Sequence, residues 1–225
     1  MKRTKIDYGI DLGTTNSSIV RMQSGELKVF NIDGQREIMP SCFGFNRKGL
    51  WVVGIRGHNA LREDKLNAMK DFALHSSNFF IEFKRTMGTD KSYFSSHKDK
   101  SFSSEELSAQ VLMELKKLIT DEEVRSVVIT VPAKFTINQK DATIRAAKLA
   151  GFKQCELLQE PIAALMAYGL NSSDKDGIWL VFDFGGGTFD AALVKVEEGI
   201  MKVIDTEGDN FLGGKNIDFA IVDDM

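Results

Sequence analysis

The feature that most constrains this chain is an internal repeat. Asp11 corresponds to Asp183 and Gly13 to Gly185, both at an offset of 172. Gly25 corresponds to Gly199, Lys28 to Lys202, Val29 to Val203 and Gly34 to Gly208, at an offset of 174. In each copy an apolar strand ends in Asp, breaks into Gly and hydroxyl residues, resumes as a strand and turns back at a Gly. A repeat of this kind decides architecture before any local reading does. It predicts two structurally similar lobes. The two-residue slip falls between the first turn and the hairpin tip, where insertions are tolerated.

Composition narrows the partners. The 225 residues carry 29 Lys+Arg against 32 Asp+Glu, a formal net charge of −3. No basic excess points to nucleic acid. Cys42 and Cys155 are too few for a disulfide framework or a zinc site, and read as buried thiols in a reducing compartment. Met1–Lys5 is basic, but Ile6–Asp11 holds two carboxylates, which no signal-peptide core carries. The apolar runs fall well short of a membrane span. The expectation is a cytoplasmic protein with no nucleic-acid or membrane partner. His58, His75 and His97 show no partner pattern.

Residues 6–34 read as three strands with a small polar turn at Gly13–Ser17. Residues 40–103 read as aromatic strand-like pieces around Phe43, Phe45 and Trp51–Val53, a helix near 59–73, and a polar stretch at 89–103. Ser103-x-x-Glu106 and Thr136-x-x-Gln139 are capping boxes that open helices. Leu107, Val111, Leu112, Leu115, Leu118 and Ile119 follow the first at helical spacing. Val127–Val131 reads as a buried strand stopped by Pro132, and Gly151 as a helix stop. A strand at Glu156–Leu158 precedes a helix starting at Pro161. Asn171–Gly177 reads as a linker. Strands then recur at Ile178–Phe184, Phe189–Val196 and Lys202–Ile204, and a helix opens after Lys215.

The two turns carry the chemistry. Glycine permits positive φ and close backbone approach, so consecutive N–H groups can form an anion-binding concavity. Thr and Ser add hydroxyl donors. An Asp just before such a turn would repel a bare phosphate. It fits where a divalent cation lies between them, because Mg²⁺ keeps its waters and bridges carboxylates to phosphates. Two such turns face to face would clamp a polyphosphate. One Asp-x-Gly alone would be an ordinary tight turn; two in register are not. Neither turn matches the Walker phosphate loop or the dinucleotide turn, since each joins strand to strand.

Gly9–Ser17 resembles the first phosphate segment of the heat-shock protein 70 family, and Asp183–Asp190 resembles the second. Four further segments resemble that family's motifs in order: Phe83–Gly88, Ile129–Ala133, Gln159–Ala164 with Ala167–Leu170, and Gly208–Asp209 with Leu212–Gly214. The likeness fades over about residues 40–80 and 89–103. The resemblance implies the N-terminal part of the ATPase domain of a DnaK-like molecular chaperone. The implied fold is α/β, of the actin-like ATPase (ribonuclease H-like) kind. Lobe I would span 1–176, with a core subdomain at 1–39 and 104–176 and a smaller inserted subdomain at 40–103. Residues 177–225 would be the first strands of lobe II. A second lobe as large as the first would run past residue 225, so the expectation is a truncated chain that binds ATP weakly.

The same resemblance implies roles. Asp11 and Asp183 would hold the water shell of Mg²⁺, and Asp190 would join them in siting K⁺. Gly13, Thr14, Thr15 and Asn16 would contact phosphates from one lobe, and Gly185, Gly186, Gly187 and Thr188 from the other, with Gly213 and Gly214 beside the nucleotide. Lys84 would orient the attacking water and stabilise the γ-phosphoryl, and Glu160 would accept hydrogen bonds from that water; Asp183 and Thr188 complete the catalytic set. ATP and ADP are the implied ligands. Unfolded polypeptides, bound through a substrate-binding domain absent from this chain, a J-domain co-chaperone and a nucleotide exchange factor are the implied partners. Lys140 stands where the family usually has an Arg that relays the nucleotide state, keeping the charge but losing the planar fork. Two alternatives differ in class. A sugar kinase or filament ATPase of the same fold would share the Asp-x-Gly turns but lack the Val-Pro-Ala, Lys-Arg and Glu-Pro-x-Ala-Ala set. A non-catalytic interaction module would not need Lys84, Glu160, Asp11, Asp183 and Thr188. An exposed apolar face on 178–225, leading to a dimer, is also expected.

Overall fold

The computed structural model describes residues 6–46, 48–71, 78–169 and 176–224. Strands β1 (Tyr8–Leu12), β2 (Asn16–Gln23) and β3 (Glu26–Val29) form an antiparallel meander. They are followed by β4 (Met39–Pro40), β5 (Cys42–Phe45), β6 (Trp51–Val53), α1 (Gly54–Asp71), β7 (Phe79–Ile81), β8 (Ser92–Ser95), β9 (Lys100–Ser103) and α2 (Ser104–Lys116). Next come β10 (Ser126–Val131), α3 (Ile137–Leu149), β11 (Gln154–Gln159) and α4 (Glu160–Gly169). A second meander, β12 (Gly177–Phe184), β13 (Phe189–Glu197) and β14 (Ile200–Asp209), leads into α5 (Gly214–Asp223).

Among the described residues the main sheet is six-stranded, in the order β11-β10-β1-β2-β3 with β4 on β2. β10 lies parallel to both β1 and β11. Parallel neighbours need a crossover, and the segments after β2 and β10 that carry α2 and α3 supply it. Both helices open on the capping boxes read from the sequence. The Ser103 Oγ accepts from the Glu106 N–H at 3.2 Å, and the Glu106 carboxylate accepts from the Ser103 N–H at 2.9 Å. Thr136 and Gln139 do the same for α3. Along β10 every second residue is buried, and Val127 and Ile129 meet Leu107, Val111, Leu112 and Leu115 of α2 in the core.

The repeat is written into the ladders. Asp11 pairs with Ser18, and 172 residues on, Asp183 pairs with Asp190. Arg21 pairs with Lys28, and 174 residues on, Lys195 pairs with Lys202. The register shift between Leu193 and Val194 lies within the stretch where the offset changes. The second meander packs one face on α4, with Leu165, Val194 and Val196 at the centre. Its other face leaves Ile178, Leu180 and Phe182 about two-thirds exposed.

Several expectations are corrected. The polar stretch at 89–103 holds a hairpin, β8 with β9, because Tyr93 and Phe102 alternate inward onto Phe80. The predicted helix at 59–73 begins earlier, at Gly54, whose left-handed backbone (φ 64°) makes the break from β6; residues 72 and 73 lie outside the described residues, as do His75 and most of the predicted linker. Cys42 is buried, but Cys155 is only partly so. Burial raises both thiols, to about 12 and about 11, so neither is a nucleophile near neutrality. Residues 40–103 carry the three-stranded sheet β6-β5-β7 packed on α1.

Candidate phosphate site

Both glycine turns open onto one cavity of about 440 Å³. Asp11, Gly13, Thr14, Thr15 and Asn16 line one side, and Asp183, Gly185, Gly186 and Thr188 the other. Lys84, Thr130 and Glu160 complete the wall with Ala163 and Ala164 of α4. The elements explain the convergence. Asp11 and Asp183 sit near the ends of β1 and β12, Thr130 near the end of β10, and Glu160 opens α4 where β11 stops. Lys84 projects from a 3₁₀ turn, Phe83–Thr86, that follows β7.

The turn glycines are there for close approach, not for left-handed backbone: none of Gly13, Gly185, Gly186 and Gly187 has a φ in the left-handed region. This corrects one of the two reasons given from sequence. A Cβ at Gly13 would sit 2.1 Å from the Asn16 carbonyl oxygen, and one at Gly186 would sit 2.5 Å from the Thr15 Oγ1. The two turns therefore touch. Each is also held from behind through its carbonyls. The Ser41 hydroxyl donates to the Gly13 carbonyl at 2.7 Å, and the Ser41 N–H to Thr15 at 2.8 Å. In the second turn, N–H groups at the start of α5 donate from Gly214 to the Gly185 carbonyl (2.9 Å) and from Lys215 to the Gly186 carbonyl (3.0 Å). A trans peptide points its N–H opposite its carbonyl. The Gly186 and Gly187 N–H groups are thus held on the side away from α5.

Charge in the cavity is out of balance. Lys84 Nζ donates to Glu160 Oε1 at 2.7 Å, and both side chains are largely buried. Burial raises the Glu160 carboxyl above its usual range, with Lys84 opposing and Asp11 and Asp183 adding to the rise. Asp183 is raised by burial and then by Asp11. Asp190, directly across the ladder from Asp183, is raised to about 6 by burial, then by Glu160 and Asp183. Gly208 makes room for it, since a Cβ there would meet the Asp190 carboxylate at 2.9 Å. Thr130 Oγ1 donates to Asp11 at 3.0 Å and fixes that carboxylate. Four acids thus crowd around one lysine, an arrangement that added positive charge relieves. Among the described residues no three His, Cys, Asp or Glu side chains form a direct metal cage. Carboxylate oxygens are the donors that a hard cation takes.

Lys84, Glu160, Asp11, Asp183, Thr188, Gly13, Thr14, Thr15, Asn16, Gly185 and Gly186 all come together on this cavity. Gly187, Gly213, Gly214 and Asp190 do not line it. Gly213 packs behind the second turn, where a Cβ would sit 2.4 Å from the Gly187 nitrogen. Asp190 is buried beneath the wall. Sequence reasoning missed the supports: Thr130 on Asp11, Ser41 on the first turn, and the α5 N–H groups on the second. Each joins residues distant in the chain, and no local pattern marks them.

Duplicated strand–turn–strand units closing on one acidic cavity with a buried lysine define a class: mixed α/β proteins with a polar cavity between two glycine turns. Within that class the chain belongs to the Hsp70 family, since the family model described as Hsp70 protein matches residues 7–225. Proteins of that family are ATP-binding, ATP-hydrolysing chaperones that work with unfolded polypeptides and co-chaperones. Among the described residues no helix is long and apolar enough to cross a membrane.

Proposed function

We propose that the site between this chain's two glycine turns belongs to the ATP-binding and ATP-hydrolysing domain of a cytoplasmic chaperone in which nucleotide state gates the binding of unfolded polypeptides, the chain itself binding ATP weakly and turning it over slowly. The fold is read as actin-like: residues 1–176 form one lobe, with 40–103 inserted in it, and 177–225 open the second. The observation that carries the reading is the meeting of both turns, Asp11, Asp183, Lys84 and Glu160 on one cavity.

The chain's own groups divide the work. The N–H groups and hydroxyls of Thr14, Thr15, Gly186 and Thr188 bind the phosphate oxygens; phosphoryl transfer needs mostly such positioning and electrostatics. Lys84 has three donors, and Glu160 takes one. The remaining donors serve the γ-phosphoryl oxygen and the attacking water, which in turn donates a hydrogen bond to Glu160. Asp11 and Asp183 would hold magnesium through waters, with potassium beside Asp190; these cations supply positive charge against the triphosphate. Gly213 and Gly214 shape the second turn from behind. A J-domain co-chaperone, a nucleotide exchange factor and a second copy of the chain are the proposed partners.

Single-turnover hydrolysis, with protein in excess over ATP and magnesium present, tests the reading. Lys84→Ala is expected to slow hydrolysis about 10²–10³-fold, the scale of one lost charge-stabilising donor. A Lys84→Ala chain that hydrolyses ATP as fast as the unmodified one would reject the assignment.

A further inference from the structure

The third carbonyl of the second turn is also held, and from the other half of the molecule. Arg85 Nη2 donates to the Gly187 carbonyl oxygen across the cleft. Gly187 has no side chain to block this contact, for a Cβ there would lie 3.2 Å from that same nitrogen. Arg85 is itself held through both terminal nitrogens and one ring face, while its buried Nε has no hydrogen-bond partner among the described residues. Its Nη1 donates to Glu82 Oε2 at 2.8 Å, its guanidinium lies 5.0 Å from the centre of the Phe211 ring, and its side chain is 7% exposed. Glu82 adopts a left-handed backbone, φ 59°, which is uncommon for a residue with a Cβ. The same Glu82 oxygen accepts from Lys215 Nζ at 2.5 Å. Lys215 is also the residue whose N–H holds the Gly186 carbonyl.

We propose that Arg85, seated by Glu82 and Phe211, is a positioning residue that locks the second phosphate turn onto the first half of the molecule. The reasoning is geometric. Capturing the Gly185, Gly186 and Gly187 carbonyls from behind fixes three successive peptide planes, so the Gly186, Gly187 and Thr188 N–H groups keep one orientation. Successive N–H groups presented in this way make an anion-binding concavity. Two of the three clamps come from α5, next to the turn in the chain. The Arg85 clamp reaches the turn from beside Lys84, so one short segment supplies both a charge for the phosphate and the support for the facing turn. The Glu82–Lys215 pair closes the loop by tying α5 to the same segment. The inference rests on the phosphate-site reading above and adds a residue that never touches the phosphate.

Two readouts separate the clamp from that reading. The first is amide hydrogen exchange of the ligand-free full chain, compared over residues 184–189 and over the body of β13. Arg85→Ala is expected to speed exchange in the turn about tenfold or more while leaving β13 unchanged. The second is calorimetric affinity for pyrophosphate with magnesium. It is expected to fall about ten- to a hundredfold, the scale of one charge-assisted hydrogen bond. Arg85→Lys keeps the charge and loses the fork, so it should restore little. Should Arg85→Ala fold poorly, Glu82→Gln loosens the same guanidinium from outside the cleft and should move both readouts in the same direction. Unchanged exchange in the turn overturns the proposal, and so does faster exchange with unchanged affinity. If the unmodified chain binds no pyrophosphate, the phosphate-site reading fails, and exchange alone then decides whether Arg85 holds the turn.

Discussion

Asp190 lies directly across the ladder from Asp183 and is 8% exposed. Its carboxyl is raised from 3.8 to about 6, mainly by burial. The native state therefore holds this proton to higher pH than the unfolded chain does. Between about pH 4 and pH 6 the folded form binds more protons, so this residue's contribution to stability falls as pH rises, and it is constant above that window. In buffer free of magnesium and potassium, Asp190→Asn should raise the melting temperature at pH 7. The gain is at most about 3 kcal/mol, two pKa units' worth. It should vanish below about pH 4, where the parent is already neutral. Thermal melts of both proteins from pH 3.5 to 7.5 check this; equal melting temperatures at pH 7 would refute it. Potassium should narrow the gap if the parent binds it at this residue. Lys84 and Glu160 show the limit of single-residue reading. Each alone would pass for a surface lysine or a helix-start carboxylate, and only their motif contexts set them apart.

At the scale of elements, what was legible followed local rules. Capping boxes at Ser103 and Thr136 and the alternation along β10 depend on residues a few positions apart, and the structure carries them as read. The repeat was legible because Asp and Gly must recur at matched places. The β8–β9 hairpin was not, since its cue is the packing of Tyr93 and Phe102 onto Phe80 rather than its polar composition. The contact of α5 with the second turn was equally hidden. That contact makes a sharp prediction at Gly213. A Cβ there would press within 2.4 Å of the Gly187 nitrogen and 2.7 Å of the Gly186 carbonyl carbon, both backbone atoms that cannot swing aside. Gly213→Ala should destabilise the protein by about 1–3 kcal/mol, the scale of an overpacked contact. It should also weaken pyrophosphate binding, because the turn must shift. Denaturant melts alongside calorimetry check both, and a Gly213→Ala chain as stable and as tight-binding as the parent would show that α5 does not hold the turn.

In the whole molecule, the two meanders are alike in ladder but not in surroundings. The first lies within the six-stranded sheet and packs on α2, with Ile10, Leu12 and Ile19 buried and only its outer strand β3 exposed. The second is covered by α4 on one face, while Ile178, Leu180 and Phe182 stand about two-thirds exposed on the other. Phe219, Ile221 and Val222 of α5 are also more than half exposed. Ile178, Leu180 and Phe182 alternate along β12 and so share one face, and contiguous apolar surface marks an interaction face or a tendency to associate. β12 is moreover the edge of its sheet, where unpaired backbone groups invite another strand. The expected outcome is concentration-dependent association of the chain in solution. Burying a Leu or Phe side chain fully yields about 1.5–3 kcal/mol, so replacing two of them with charged residues should abolish it. Sedimentation velocity over a wide concentration range is the check. The parent should shift to larger species as concentration rises, and Leu180→Lys with Phe182→Lys should stay monomeric with an unchanged circular dichroism spectrum, since neither residue belongs to the face packed on α4. A parent that remains monomeric throughout, or a double variant that associates equally well, would show that this face does not drive self-association.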